Sequence, residues 1–386
     1  MKQLLLHARL FDGHQFHAGK AVSVEEGRIA AIVDNPSQVG GHETHDLTGL
    51  VLAPGFVDIQ VNGGGGVMLN GATDLKGLEQ IAEAHRQFGT TSMLPTLISD
   101  RWEAMVHVAE LIKQAHRHWG ENSSLSTIKG VHFEGPYLNP LRKGVHQETL
   151  FRKPEELALD LLTHPDLGVR LITVAPEKVG PTFIRDLVSN GALVSAGHSA
   201  ASYQDIAQAL RAGLRGFTHL FNAMTEMGSR EPGVVGAALD DEETWCGMIV
   251  DGFHIHPASM RTAIRAKPRG KVILVTDAMA SVGSEDKSFT LYGKTIFARD
   301  GKCQLADGTL AGSDLSMIGA VRNVVELLNL PLSEALRMAS KYPASFMRMD
   351  TSLGTIAPGY AADLVAFDPT SWQVRHTWVN GFHRAH

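Results

Sequence analysis

Two cysteines, Cys246 and Cys303, are all that the 386 residues contain, which excludes a disulfide framework and any Cys-rich zinc site. Long apolar runs are missing as well. The three leucines of MKQLLLHARLFDG are interrupted by His7 and Arg9, fall short of a signal-peptide core, and are followed by no stretch that approaches a membrane span. A cytoplasmic protein with no membrane partner is therefore expected. Positive charge is not in excess either: 35 Lys and Arg stand against 41 Asp and Glu, a net charge of −6, so nucleic acid is not an expected partner. A small anionic ligand stays open, because a local basic pocket does not need a basic protein. The length suffices for one large domain, or for a large and a small one.

What is present falls into two patterns. Residues 1–53 read as short strands with turn punctuation at Gly13, Gly27 and the Pro54-Gly55 pair, and GTIAPGYAADLVAFDP and WQVRHTWVNG at the other end have the same character. Neither end alone offers enough strands for a core, so 1–53 plus 354–386 are expected to form one small β-sandwich module. Between them, over 54–353, apolar runs alternate with helical periodicity. The runs are 56–63, 91–97, 127–134, 169–177, 193–199, 216–222, 245–254 and 272–278, and the clearest helical stretches are 75–89, 101–119 and 202–213. Continuous apolar strands alternating with helices imply a parallel sheet buried on both faces. Eight of them match a closed (β/α)8 TIM-like barrel, with an open doubly wound sheet as the alternative. The weakest unit follows the sixth run, where 223–244 reads mostly as Gly/Pro-rich loop.

In such a barrel the chemistry sits at the C-terminal ends of the strands. Those ends carry Asp58, Gln60 and Asn62; Thr96; His132 and Glu134; Glu177; His198; His219 and Asn222; Asp251 and His254; and Asp277. A single polar residue at a strand end marks only where the strand reaches water, but this many metal ligands and acid/base groups together point to a site. Glu134, His198 and His219 form the best metal set, two imidazoles and a carboxylate with room for a fourth ligand. Asp277, on the last strand, is the natural acid/base for a water activated there. His132 is read as structural, directed opposite to Glu134 or packed beneath it.

PGFVDIQVNGGGG, HFEGPYLN, KGVHQ, VSAGHS, THLFNAM, SREPG, DGFHIH, LVTDAM and TLAGSDLSM occur in that order along essentially the whole chain. In this the sequence resembles the N-acetylglucosamine-6-phosphate deacetylase family of amidohydrolase barrels. The resemblance implies hydrolysis of N-acetyl-D-glucosamine 6-phosphate to glucosamine 6-phosphate and acetate, in amino-sugar breakdown and cell-wall recycling. It implies one divalent ion per chain on Glu134, His198 and His219, zinc first, with iron, cobalt or manganese as alternatives. It implies Asp277 as the acid/base and His146 as the histidine beside the scissile amide. Val145, Asn222, Ala223, Arg230, His254 and the Leu310-Ala311-Gly312 turn correspond to the family's other sugar and phosphate contacts. The family's matching arginine serves the neighbouring chain's site, so a homodimer or higher homo-oligomer is expected.

Many relatives in the wider superfamily carry His-x-His at the end of strand one, where this chain has Gln60 and Asn62, and some have a metal-bridging lysine on strand four that is absent here. Amides bind metal poorly beside imidazole, which favours one metal over two. The run Gly63–Gly66 lacks the Lys-Ser/Thr of a phosphate loop and reads as a close-approach loop below the mouth. Two other functions fit the same residues less well: a deacylase of N-acyl amino acids or cyclic amides on this barrel, and a catalytically dead barrel kept as a sugar-phosphate sensor.

Overall fold

A computed structural model describes residues 2–34, 41–119 and 124–386. Eight parallel strands make its central sheet: Phe56–Val61, Thr90–Ile98, Gly130–Glu134, Val169–Val174, Leu193–Ala196, Gly216–Phe217, Trp245–Met248 and Val272–Leu274, each hydrogen-bonded to the next. The ring closes where the first strand meets the segment after the eighth. Val61 bridges Ala278, the Asp277 amide donates to the Gln60 carbonyl at 3.0 Å, and the Asn62 amide donates to the Ala278 carbonyl at 2.9 Å. The expected barrel is thus present, with all eight expected strands.

Helices follow the strands and bury one stripe each. In Leu75–Arg86 the Asp74 side chain accepts the Gly77 amide at the N-cap, while Leu78, Ile81 and Ala82 face the barrel. Tyr203–Arg211 opens on a reciprocal capping box between Ser202 and Asp205. Residues 223–244, expected to be mostly loop, contain the helix Gly233–Asp240. Its run GVVGAALD is apolar nearly all round and buried, so it lacks the polar face that would have marked it as amphipathic.

Two further sheets form at the chain ends, one from the N-terminal segment alone and one from both ends. Arg28–Val33, Ala21–Glu25, Lys2–Leu6 and Glu43–Asp46 form one; Phe382–Ala385, Val374–Val379, Leu364–Phe367, Val51–Pro54, Arg9–Phe11 and Phe16–His17 form the other. Leu5, Leu10, Val22, Val24, Leu52, Leu364 and Trp378 fill the space between them, each aliphatic side chain contributing about 1.5–3 kcal/mol on burial. The Trp378 indole donates to Gln3, whose amide in turn donates to the Gly381 carbonyl.

A four-stranded antiparallel meander, unforeseen in the sequence, stands between the eighth barrel strand and the helix Met317–Glu326. Its strands are Ser288–Leu291, Lys294–Arg299, Lys302–Gln304 and Leu310–Ser313. The first two turns are the two-residue loops Tyr292-Gly293 and Asp300-Gly301, with positive φ at all four positions, as a type I′ turn requires. Leu310–Gly312 is therefore the edge of a strand rather than a turn.

Candidate active site at the barrel mouth

Glu134 is the last residue of the third strand, and its direction is set by the pleat. His198, His219 and Asp277 follow the fifth, sixth and eighth strands, and all three have left-handed backbone, with φ of 47°, 33° and 53°. Non-glycine residues in this region cluster at functional sites, where the surroundings hold the strain. Here the turn swings each side chain over the mouth.

The Glu134 Oε1 atom lies 3.0 Å from His219 Nε2 and 3.4 Å from His198 Nε2, and the two imidazole nitrogens are 3.0 Å apart. Among the described residues these three form the one His/Cys/Asp/Glu group whose donor atoms all lie within 4.8 Å. His198 Nδ1 donates to the Arg142 carbonyl at 2.8 Å, so its Nε2 presents a lone pair. Buried carboxylate and imidazole donors converging in this way fit a divalent cation. Burial would raise the Glu134 pKa, but the hydrogen bonds and charges of His198 and His219 hold it well below the usual carboxylate range.

Asp277 is tied in from the first strand. Asn62 Nδ2 donates to its Oδ1 at 2.6 Å, and Gln60 Nε2 donates both to that oxygen at 3.2 Å and to Glu134 Oε1 at 3.1 Å. Both amides thus tie Asp277 to the first strand, and Gln60 ties Glu134 to it as well. Burial, and after it the negative charge of Glu134, push Asp277 up to about 6, against the pull of His219, His254 and the Asn62 hydrogen bond.

A cavity of about 170 Å³ opens over this group. Asn62, Glu134, His198, His219 and Asp277 line it, and so do the expected contacts Val145, His146, Asn222, Ala223, His254, Leu310 and Gly312. Asn222 spends its Nδ2 on the carbonyls of His219 and Leu220. The His254 ring is held by Asp251, Nδ1 to Oδ2 at 2.6 Å. Burial drives His146 down to about 3, helped by the charge of His198, so it stays neutral. Ala311 does not line the cavity. Strand alternation turns it into the core of the meander with Phe289, Ile296 and Cys303. Arg230 is exposed on its loop and outside the lining of this chain's cavity.

Three residues read as strand ends do other work. Glu177 lies in the first turn of the helix Pro176–Ser189, accepting from Asn139, the Ser199 hydroxyl and the Ala200 amide. It braces the turn that carries His198. Asp58 sits deep in the barrel against Thr276, Oδ2 to Oγ1 at 2.5 Å, linking the first strand to the eighth. His132 lies two residues before Glu134 on the same strand face, not opposite it, and is packed beneath with contacts to the Ile59 carbonyl and Thr173. Ser99 and Tyr292 near His146 had no sequence signal. The amide roles of Gln60 and Asn62 were foreshadowed only by their period-two spacing.

The amidohydrolase family pattern matches residues 51–383. The N-acetylgalactosamine-6-phosphate deacetylase of Shewanella sp. (strain ANA-3) is 42% identical, covering 94% of this chain and 90% of the relative. The N-acetylglucosamine-6-phosphate deacetylase of Haemophilus influenzae is 37% identical over 99% of both. The crystal structure of N-acetylglucosamine-6-phosphate deacetylase from Pasteurella multocida superposes with a TM-score of 0.95 at 37% identity, covering 100% of both chains.

Proposed function

The chain belongs to the amidohydrolase family, and on that premise we propose that it hydrolyses N-acetyl-D-glucosamine 6-phosphate to D-glucosamine 6-phosphate and acetate, in amino-sugar catabolism. The observation that carries this reading is the convergence of Glu134, His198 and His219 beside a separately held Asp277.

Glu134, His198 and His219 would hold one divalent cation, which supplies a water acidic enough to ionise near neutral pH and polarises the acetamide carbonyl. Two imidazoles and a carboxylate favour zinc, with iron, cobalt or manganese accepted by the same donors. Asp277 accepts the proton of the attacking water and returns it to the sugar nitrogen, which leaves as an amine. Gln60 and Asn62 keep that carboxylate aimed at the water. The neutral His146 donates a hydrogen bond to the amide oxygen, strongest as negative charge develops there. Val145, Asn222, Ala223 and, from the meander edge, Leu310 and Gly312 hold the sugar, while His254, steadied by Asp251, and Arg230 take the phosphate. Arg230 is exposed and outside its own chain's cavity, which suits a homodimer in which it reaches the neighbouring site. We place the reaction in the cytoplasm, where the phosphate's charge retains the sugar. No helix among the described residues is long and apolar enough to cross a membrane.

The Shewanella relative favours a second reading, N-acetyl-D-galactosamine 6-phosphate, which differs only in configuration at C4. Acetate release by metal-loaded protein, measured on both sugar phosphates and on a panel of N-acetyl amino acids, separates the readings. The higher kcat/KM is expected on the glucosamine compound. Release from neither sugar phosphate would overturn the assignment.

A further inference from the structure

A neutral imidazole donates from one nitrogen and accepts at the other, so its usefulness at an amide oxygen depends on which nitrogen carries the proton. For His146 the surroundings settle this. Its Nδ1 lies 3.2 Å from the backbone N–H of Ser99 and 2.9 Å from the Ser99 hydroxyl. A backbone N–H can only donate, so Nδ1 is an acceptor and the proton resides on Nε2. No protein group among the described residues hydrogen-bonds to Nε2, and the ring lines the cavity, packed edge-on against His198 at 4.4 Å between centroids.

Ser99 is 1% exposed and held from its far side. The Tyr292 hydroxyl donates to the Ser99 carbonyl at 2.5 Å, across 193 positions of sequence. Tyr292 occupies the first central position of a type I′ turn with φ of 50°. Asp, Asn or Gly are the residues preferred there, and the next turn of the same meander uses Asp300-Gly301. A bulky side chain in this region is strained, and the contact with Ser99 gives the strain a use. The meander's opposite edge also meets the site: the Ser313 amide donates to the Asp277 carbonyl at 2.9 Å, and Leu310 and Gly312 line the cavity.

We propose that Ser99 and Tyr292 are positioning residues that fix His146 with its proton on Nε2, so that the meander aligns the oxygen-polarising donor as well as the Asp277 turn. The proposal rests on the reading of His146 as the contact to the acetamide oxygen. It makes His146 a donor throughout the reaction and leaves the proton transfer to Asp277, as proposed above.

The test has two arms. Nitrogen-15 spectra of histidine-labelled wild-type protein, with His146 assigned by difference against His146→Gln, should show an unprotonated Nδ1 and a protonated Nε2. A protonated Nδ1 would overturn the proposal, whatever the substrate is. Kinetically, Ser99→Ala and the half-buried Tyr292→Phe should each lower kcat by about three- to tenfold, the range of one ordinary hydrogen bond, with KM changed less than twofold. In a His146→Gln background, whose amide donor has no tautomer to set, Ser99→Ala should have no further effect. An equal fall in both backgrounds would make Ser99 merely structural and overturn the proposal. If Ser99→Ala does not fold, the same cycle is run with Tyr292→Phe. Wild-type protein releasing no acetate would fail the substrate reading, while the spectra still decide the tautomer.

Discussion

Asp277 and Asp58 are both buried carboxylic acids, yet the residues around them assign opposite tasks. Asp277 faces the cavity with two amides on one oxygen. Asp277→Asn keeps its size and removes the proton acceptor, so turnover should fall by about two orders of magnitude or more. About one divalent ion per chain should remain by metal analysis, since Asp277 lies outside the Glu134–His198–His219 group. Near-normal kcat in the loaded variant would move the acid/base elsewhere, and two tightly held ions would contradict the one-metal reading of Gln60 and Asn62. Asp58 instead faces Thr276 within the barrel, and burial raises its pKa to about 7. The folded chain therefore keeps a proton that the unfolded chain releases near pH 4. Between those values the native state binds more protons than the unfolded one, so Asp58 makes stability fall with rising pH, by up to about 1.4 kcal/mol per pH unit. Asp58→Asn can still accept the Gln60 and Thr276 amides on its Oδ1 and has no proton to lose. Denaturant unfolding at pH 5 and pH 7 should show a shallower decline in the variant; an identical pH dependence would mean that Asp58 is ionised throughout.

At the scale of elements, the meander brings Leu310 and Gly312 to the mouth. Gly312 lies on its edge strand with φ of 61°, and a Cβ there would come within 2.6 Å of the Met279 side chain and 2.9 Å of the Asp277 carbonyl. The flexible Met279 can shift, but the carbonyl belongs to the turn that carries Asp277, the proposed acid/base. Gly312→Ala should cost about 1–2 kcal/mol from the left-handed backbone alone, seen as a lower thermal midpoint. It should also lower kcat at constant metal content. A variant with unchanged kcat would show that the Asp277 turn does not depend on this contact.

At the scale of the whole molecule, one chain brings together the proposed metal group, the proposed acid/base and the cavity, yet leaves Arg230 exposed outside it. A guanidinium pairing with phosphate is worth about 1.5–3 kcal/mol when partly shielded. Arg230→Ala should accordingly raise KM for the 6-phosphate about tenfold or more and scarcely alter hydrolysis of unphosphorylated N-acetylglucosamine. If the arginine works across a dimer, mixing the inactive Asp277→Asn chain with Arg230→Ala should restore activity, because a mixed dimer holds one site with both residues. An unchanged ratio of kcat/KM for the two sugars would leave Arg230 a solvated loop charge.

The alternation of buried strands with amphipathic helices, and hence the barrel, was determined by the sequence alone, because burial imposes periodicities of two and about 3.6 that local sequence records. Glu134, His198, His219 and Asp277 were legible for a related reason, as reactive side chains at the ends of apolar runs. The meander was locally encoded too, in alternating residues around Tyr292-Gly293 and Asp300-Gly301, although Tyr292 disguised the first turn. Tertiary structure decided the rest. Glu177 and Asp58 end or lie within apolar runs just as the proposed ligands do, and only the path of the chain sends one into a helix and the other beneath the mouth. Gln60 becomes the donor to both carboxylates because the barrel closes between residues 61 and 278. Tyr292 reaches Ser99 because the meander folds back over the second strand's end. Such contacts join positions 74 to 217 residues apart, and no local periodicity carries a trace of them.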